Sequence, residues 1–525
     1  MLIVDKAKAI ALRLKNPERV LGTIPTAKQI TVRGIPLVVA PHRLDEVKVL
    51  RNLGIKAPSP ILHYYDWPGR FDPYQHQQQT AAFLTLQHRC IVLNEIGTGK
   101  TQAALWAADY MLKTKKVSRV LILSPLSTLE RVWGDGIFTG FPGRRFVVLH
   151  GTSQRRHKLL KTGIEQGFEF FIINHDGFPI IAPSIAKMFD LVIVDEAAVY
   201  RNPSTNRYKL FYRFMANEPQ ARLWLMTGTP TPNEPTDAWA LAKLIGSPAL
   251  NKTFTGFRET VMMKVTNWSW VPRPGALEVV RHVLQPSIRY TREECFDLPE
   301  TIIQTRKAEL SPEQTKHYKQ MMKHFVTDMA RERLTNGTIT AVNEAVKIQK
   351  LVQIACGVAY GDDGQHIELD CSPRVNLVKE VIEEAGEKVI VFVPLTGTLN
   401  MLERKLSEHW TVAVVNGQVS ASKRNTIFHN FQHADEPRVL IAHPGTMAHG
   451  LTLTAATTII WYGPINSNEI YGQANGRIER IGKNRVSNLI HIEGTELEHR
   501  MYERLRNKQR LQGLLLDLIK DTGEQ

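Results

Sequence analysis

The amino-acid sequence predicts an α/β protein with two parallel-sheet lobes, a helical insertion between them and a small N-terminal α+β accessory domain. In two stretches of the chain, short apolar runs alternate with helical patterns, which is typical of parallel strands covered by helices. The segment between these stretches is rich in helix-forming residues and has few breakers. The first 65 residues instead show a short helical pattern followed by two strand-like segments.

The apolar runs predict the strands of each lobe. The first lobe has five such runs, at residues 90–93, 120–123, 170–173, 191–194 and 223–226. The second lobe has four, at residues 389–393, 411–415, 439–441 and 458–461. Residues 311–355 are rich in Lys, Glu, Gln, Met and Ala, and this composition predicts the helical insertion.

The N-terminal segment is predicted to have a helix over residues 6–14 and strands over 29–32 and 35–39, joined by a turn at Gly34. A stretch rich in proline, glycine and aromatic residues, 64–70, then marks a boundary. The resulting domain assignment comprises an accessory domain at 1–65, a first lobe at 66–250, a connector with the helical insertion at 251–372 and a second lobe at 373–525.

Composition narrows the class of protein. No apolar run approaches the ~20 residues of a membrane-spanning helix, and no signal peptide is recognisable, so we expect a cytoplasmic protein with no membrane partner. Four cysteines without a CxxC pair and 18 scattered histidines predict neither a disulfide framework nor a transition-metal site. The net charge of +15 favours a polyanionic partner such as nucleic acid, and a merely solvated basic surface is the alternative.

A phosphate-binding loop is predicted where the run at 90–93 leads into the segment NEIGTGKT, residues 94–101. Gly97, Thr98 and Gly99 would let backbone N–H groups approach phosphates. Lys100 would reach the β and γ oxygens, and the Thr101 hydroxyl would hold Mg²⁺. Asn94 replaces the first glycine of the usual pattern, but the strand, loop and helix lie where ATP and Mg²⁺ binding needs them.

An acidic pair follows another buried run of the first lobe. Asp195 and Glu196 come directly after residues 191–194. At the carboxyl end of a strand downstream of a phosphate loop, Asp195 is expected to orient Mg²⁺ and Glu196 to activate the attacking water. In the second lobe, Arg477 and Arg480 are three residues apart, which predicts one helix face and a role as arginine fingers. A basic helix face without catalytic function is the alternative.

Together these motifs resemble superfamily 2 helicases, specifically the Swi/Snf-like DNA-dependent ATPases of small phage or bacterial type, over residues 71–508. Phe71 and Gln75, in the segment FDPYQ, resemble the adenine-recognising glutamine motif. The segments 124–129, 174–176, 227–230 with Asn233, 450–456 and 473–483 resemble further motifs in their usual order. In the last of them, the resemblance makes Gln473 a nucleotide contact beside the two arginines.

The resemblance implies two RecA-like lobes that hydrolyse ATP with Mg²⁺ and move along DNA. It assigns phosphate contacts along one DNA strand to the side chains of Ser127, Thr128, Asn174 and Thr446, each of which could equally cap a helix. The expected task is remodelling or unwinding of forked or branched DNA in replication, recombination or repair, with replication or repair proteins as possible partners. Residues 1–65 and 311–355 are candidates for the element that splits or grips a junction.

Three positions depart from the family pattern. Ala198 stands where His is usual, Thr452 where Asn is usual and Lys483 where Gln is usual. Since the acidic pair, the lysine and the arginines are retained, we expect an active enzyme. A non-unwinding ATP-dependent DNA clamp or switch and an RNA-directed helicase are the alternative functions.

Overall fold

The structure is a computed structural model that describes residues 1–69, 71–231, 234–265, 270–296, 301–334, 341–360, 366–447, 453–478 and 486–507. These residues form two compact units, and the division falls between Cys295 and Phe296. It lies inside the stretch that the sequence assigns to the connector. The boundaries of the four proposed domains stay predictions.

The first unit begins with a four-stranded antiparallel sheet of order β1-β2-β4-β3. Its elements are β1 (Leu2–Val4), β2 (Ala9–Leu12), α1 (Glu18–Thr23), β3 (Lys28–Val32), β4 (Ile35–Pro41), α2 (Leu44–Asn52) and α3 (Ile61–Tyr64). The predicted strands and the Gly34 turn are confirmed, and Gly34 has the positive φ of +77° that favours glycine.

The helix predicted over residues 6–14 is wrong. A short 3-10 turn over Asp5–Ala7 ends where Lys8 adopts a left-handed conformation with φ +45°. The four residues of β2 then run extended and are all buried between β1 and β4. A short, wholly apolar run carries no periodicity that separates a buried strand from a helix, so pairing with neighbouring strands determined its structure.

The N-terminal sheet shares a hydrophobic core with the elements that follow it. Ile10 and Leu12 belong to the same buried cluster as Leu84 and Trp106. Two buried hydrogen bonds cross the same boundary, from the Tyr65 hydroxyl to Asp109 (2.7 Å) and between the hydroxyls of Ser59 and Thr85 (2.8 Å). Removal of residues 1–65 would therefore open the core of the first unit.

The rest of the first unit is a seven-stranded parallel sheet of order β13-β5-β10-β9-β6-β8-β7, covered by helices. Its strands are β5 (Arg89–Val92), β6 (Val120–Ser124), β7 (Phe146–Val148), β8 (Phe170–Asn174), β9 (Leu191–Val194), β10 (Arg222–Met226) and β13 (Ser287–Ile288); β11 (Met262–Lys264) and β12 (Trp270–Pro272) form a separate hairpin. The helices are α4 (Gln75–Leu86), α5 (Lys100–Lys113), α6 (Asp135–Gly140), α7 (Ser153–Glu165), α8 (Phe178–Ile181), α9 (Asn206–Asn217), α10 (Ala238–Ile245), α11 (Phe254–Val261), α12 (Ala276–Val283) and α13 (Arg292–Cys295).

All five strands predicted for the first lobe are present in this sheet. The pattern missed β7 and β13, which have three and two residues and lie at its two edges. Strands this short leave almost no periodicity in the sequence, which is why edge strands are the hardest to predict.

The second unit is built on a six-stranded parallel sheet of order β14-β21-β20-β17-β19-β18. Its strands are β14 (Thr301–Lys307), β17 (Val389–Phe392), β18 (Val412–Val415), β19 (Val439–Ala442), β20 (Thr458–Trp461) and β21 (Ser487–Glu493); β15 (Val358–Tyr360) and β16 (His366–Glu368) pair as a hairpin. The helices are α14 (Pro312–Leu334), α15 (Ala341–Ala355), α16 (Ser372–Ala385), α17 (Thr396–Ser407), α18 (Ala421–His433) and α19 (Asn468–Asn475).

The four predicted strands and the helical insertion of the second lobe are confirmed, and β14 and β21 were missed. The predicted α/β class with two parallel-sheet lobes is therefore correct.

A buried ion pair fixes α16 inside this unit: Arg374 donates to both carboxylate oxygens of Glu498 at 2.7 and 2.8 Å. Across the described residues, no helix combines the length and the apolar character needed to cross a membrane.

Candidate active site

The predicted phosphate loop connects the end of β5 to the start of α5. Gly97 and Gly99 have φ angles of +90° and +80°, in the left-handed region that favours glycine. At Gly99 the need is also steric, because an added Cβ would lie 2.1 Å from Nε2 of Gln77. The loop therefore has the shape that turns backbone N–H groups toward an anion at the start of a helix.

Lys100, the first residue of α5, is buried with 9% of its surface exposed. Its Nζ donates hydrogen bonds to the carbonyl oxygens of Asn94 (2.8 Å) and Glu95 (3.1 Å). Burial lowers the pKa of the ammonium group, and the negative charges of Glu196, Asp195 and Glu95 oppose that shift. The loop thus holds a buried cation next to the acidic pair.

The acidic pair lies where β9 ends, as predicted. Asp195 is buried, and its carboxylate accepts hydrogen bonds from Nε1 of Trp133 (3.1 Å) and from the backbone N–H of Glu196 (3.1 Å). Burial raises the pKa of the Asp195 carboxyl, whereas the Trp133 hydrogen bond and the Lys100 charge oppose the rise. Glu196 has a left-handed backbone with φ +50°, a strained conformation for a residue other than glycine.

The donor set at this position fits Mg²⁺ shared with phosphates. Asp195 offers carboxylate oxygens, and each oxygen can accept more than the one hydrogen bond it makes. Thr101 follows Lys100 on α5, and its hydroxyl makes no hydrogen bond to any residue that the structure describes. The described residues contain no cluster of three or more His, Cys, Asp or Glu side chains that would hold a metal by themselves. Such a small set of protein oxygens is typical of Mg²⁺ that is bound mainly by the phosphates of a nucleotide and by water.

Two residues at the start of α4, next to the predicted adenine-recognising Gln75, contact the loop. The carbonyl oxygen of Thr98 lies 2.9 Å from Nε2 of His76 and accepts a hydrogen bond from Nε2 of Gln77 at 3.3 Å. Phe71 and Gln75 are exposed instead, so their adenine contacts stay predictions. The contacts of His76 and Gln77 with the loop were not predicted. The only indication of them in the sequence is that both residues directly follow Gln75 on the same helix.

The Thr98 side chain faces the protein rather than a ligand. Its hydroxyl donates to the Glu95 carbonyl at 2.8 Å, and 1% of the residue is exposed. Thr98 therefore shapes the loop, and its backbone N–H also donates to the Glu95 carbonyl, at 3.4 Å, so its predicted phosphate contact stays a prediction.

Asn94 and Glu95 attach the loop to the chain segment around β13. The Asn94 side chain donates to the Thr80 hydroxyl (2.9 Å) and accepts from the backbone N–H of Tyr290 (3.1 Å). The Glu95 carboxylate accepts from the Arg289 guanidinium (3.2 Å) and from the Arg292 backbone N–H (3.1 Å). The hydrogen bonds of the Asn94 side chain explain why asparagine replaces the usual first glycine. In the sequence, that replacement was the one sign that the loop is attached to another segment.

The segment after β10 lies beside the loop. The Thr227 N–H donates to the Val92 carbonyl (3.0 Å), and the Thr229 N–H donates to the Thr227 hydroxyl (3.1 Å). A Cβ added at Gly228 would lie 3.5 Å from the Asn94 carbonyl oxygen and 3.6 Å from Ile96. Ala198, which replaces the usual His, is fully buried. Asn233 lies outside the described residues.

The candidate DNA contacts of the first unit differ in exposure. Ser127 is exposed, whereas Thr128 is buried and its hydroxyl bonds the Pro125 carbonyl at 2.9 Å. The amide oxygen of Asn174 accepts from the Arg156 guanidinium at 3.1 Å. Thr128 and Asn174 thus have internal partners, and the DNA-contact assignments stay predictions.

In the second unit, the expected arginine helix ends early. Helix α19 stops at Asn475, and Arg477 lies buried in the turn that follows, so its predicted place on a helix face is wrong. Gly476, which directly precedes Arg477, is the C-cap residue of α19, and glycine has a low helix propensity. Gln473 is buried on α19, and the Thr446 hydroxyl donates to the His443 carbonyl at 2.7 Å. Arg480, Thr452 and Lys483 lie outside the described residues.

Comparison with known proteins identifies the family. Residues 48–356 match the SNF2-related domain, and residues 373–482 match the helicase conserved C-terminal domain. Protein p41 of Acyrthosiphon pisum secondary endosymbiont phage 1 is 24% identical over 85% of this chain and 98% of its own length. An uncharacterised ATP-dependent helicase of Mycoplasma genitalium is 25% identical over 77% of the chain. The ATP-dependent helicase/translocase YwqA of Bacillus subtilis is also 25% identical, over 76% of the chain.

The chain spans 38% and 43% of these two bacterial relatives. Among solved structures, the Sulfolobus solfataricus SWI2/SNF2 ATPase core in complex with dsDNA aligns over 86% of this chain and 94% of its own, with 19% identity and a TM-score of 0.38. The SNF2-related match alone covers more than half of the 525 residues. With the phosphate loop and the acidic pair in place, the chain belongs to the SNF2-related family of helicase-type ATPases.

Proposed function

We propose that this protein hydrolyses ATP to move along DNA and that it remodels or unwinds forked or branched DNA. The observation that carries the proposal is the convergence of Lys100, Asp195 and Glu196 at the carboxyl ends of β5 and β9, the two strands that flank β10. A nucleotide that bound there would meet a cation for its phosphates, a carboxylate for Mg²⁺ and a second carboxylate for water.

Each residue of the cluster has one role in this proposal. Lys100 neutralises charge on the β and γ phosphates, and the loop carbonyls that hold it keep its position fixed before ATP arrives. Asp195 and Thr101 would hold Mg²⁺, which supplies charge neutralisation at the phosphates. Glu196 orients and activates the water. The arginine-finger roles of Arg477 and Arg480 and the nucleotide contact of Gln473 stay predictions.

We infer that the protein moves along DNA from the relatives that it resembles and from its net positive charge. The bacterial relatives are named as ATP-dependent helicases, and the net charge of +15 suits binding to phosphates without sequence preference. Action on forks, and hence a role in replication, recombination or repair with partner proteins, extends this proposal. A static clamp would need no water-activating carboxylate, and the retention of Glu196 favours a hydrolysing motor.

The first experiment measures ATP hydrolysis without nucleic acid and with single-stranded DNA, duplex DNA, forked DNA and RNA. We expect strong stimulation by DNA, weak stimulation by RNA, and ATP-dependent conversion of a labelled fork that does not occur with blunt linear duplex. Stimulation by RNA alone would support the RNA-directed alternative. Binding of DNA and ATP with no turnover would identify a clamp and overturn the motor.

The variant Glu196→Gln should bind ATP as well as the unchanged protein does but hydrolyse it about 10²-fold or more slowly, because a positioned base contributes that much. Nucleotide affinity measured by fluorescence titration and single-turnover hydrolysis separate the two effects. Glu165→Gln, at an exposed position on α7, is the matched control. Normal hydrolysis by Glu196→Gln would assign the water to another group.

The variant Glu95→Gln tests the attachment of the loop to the β13 segment. Loss of the ion pair with Arg289 should let the loop shift and lower kcat/KM for ATP about 10- to 100-fold, since small misplacements of catalytic groups have effects of that size. Glu169→Gln is a matched control, because Glu169 also accepts from an arginine side chain and a backbone N–H of the same unit. Equal kinetics for both variants would show that the attachment is only structural.

A further inference from the structure

A groove of about 990 Å³ lies in the first unit, between the N-terminal antiparallel sheet and the C-terminal end of α5. Residues of the sheet and the start of α2 form one side of it, and Tyr110, Thr114 and Lys116 form the other. None of the motifs assigned to ATP hydrolysis or to the DNA track lines this groove.

The groove is strongly basic. Five of its lining side chains are cations and two, Asp45 and Glu46, are carboxylates; the cations are Lys6, Lys8, Lys28, Arg43 and Lys116. Lys116 is paired with Asp45 at 2.5 Å. Among the residues that the structure describes, Lys6, Lys28 and Arg43 form no ion pair, and all three are exposed. The groove therefore presents positive charge that a polyanion would neutralise.

An aromatic side chain adds a stacking surface to the groove. Tyr64 is partly exposed, and its hydroxyl lies 3.0 Å from Nδ1 of His42, which limits its motion. Nζ of Lys8 lies 5.7 Å from the centre of the Tyr64 ring. Lysines next to an accessible aromatic ring are the combination that binds the phosphates and bases of a nucleic-acid strand.

The position of the groove separates it from the ATP site. Helix α5 has 14 residues and is therefore about 21 Å long. Its first residue, Lys100, belongs to the phosphate loop, whereas the groove meets its last turn. The groove lies near the amino edge of the parallel sheet, because the chain turns there into β6. A ligand bound in it would not compete with ATP for contacts.

We propose that this groove binds the phosphate backbone of a DNA arm, as a second DNA contact beyond the motor motifs. The inference rests on the proposed function, since it takes DNA as the substrate. A fork has several arms, so a motor that holds one arm can bind another through a separate site. Nucleic acid is favoured over an acidic protein segment because a base can stack on the Tyr64 ring, whereas an acidic segment would use only the positive charges of the groove.

The shared core rules out deletion of residues 1–65 as a test, so charge reversal is the better design. The test variant carries Lys6→Glu, Lys28→Glu and Arg43→Glu together. The control variant carries Arg13→Glu, Lys15→Glu and Arg19→Glu, which are exposed in the same N-terminal segment but do not line the groove. Both variants have the same net charge, so any difference between them reports the location of the charges.

Binding of labelled forked, duplex and single-stranded DNA is measured by fluorescence anisotropy over a salt series. The groove variant should bind forked DNA about tenfold or more weakly than the control variant. Its log-log salt slope should be shallower for each lost phosphate contact, by about 0.7 on a single strand, whose bases can stack on Tyr64, and by about 0.9 on a duplex. ATP hydrolysis without DNA should be unchanged in both variants.

Equal DNA affinities of the two variants would overturn the inference. Binding of labelled polyglutamate is measured in the same way, as a probe for an acidic protein segment. If the groove variant lost polyglutamate binding but kept DNA binding, the inference would also be overturned, and the groove would be assigned to an acidic protein. Circular dichroism checks that the triple variant folds. If it does not, the same binding measurements are made with a double variant, Lys6→Gln with Lys28→Gln, which removes two positive charges without adding negative ones. The proposed function is tested separately, by the hydrolysis measurements with and without DNA, because its failure would appear there as unchanged ATP hydrolysis of the unaltered protein on addition of DNA.

Discussion

The buried ammonium group of Lys100 is the interaction on which the rest of the active site depends. An isolated cation inside a protein is costly, so its surroundings must supply partners. Two loop carbonyls accept its hydrogen bonds, and the carboxylates of Asp195 and Glu196 act on its charge. Phosphates of a nucleotide would add further anionic partners, which is why the lysine is suited to bind ATP.

The order of strands in the first sheet explains how these groups meet. Strand β10 lies between β5 and β9, so the segments after the three strands share one edge of the sheet. Neighbouring strands are about 4.8 Å apart, which places the acidic pair about 10 Å from the start of the phosphate loop. The Thr227 region fills the position between them. The glutamate and asparagine of the loop then attach it to β13 on the other side.

Much of this arrangement was predictable because its residues are close in sequence or repeat a simple pattern. The phosphate loop is contiguous, and Asp195 follows a run of four buried apolar residues. The contacts that the sequence missed join distant segments: Trp133 to Asp195, and Glu95 to Arg289. Such contacts depend on which strands become neighbours, and residue spacing does not carry that information. The same holds for β2, where burial between two strands overrode the pattern that predicted a helix.

The most direct test of the account is ATP turnover by Lys100→Ala beside Lys113→Ala, with circular dichroism to confirm that both variants fold. Lys113 is also on α5, but it is half exposed and pairs with Asp109 at 3.3 Å, remote from the loop. We expect Lys100→Ala to lose about 10²-fold or more of its turnover, the usual effect of removing a preorganised positive group, whereas Lys113→Ala should keep it. Near-normal hydrolysis by a folded Lys100→Ala variant would contradict the account, because the phosphate loop would then not be the catalytic site.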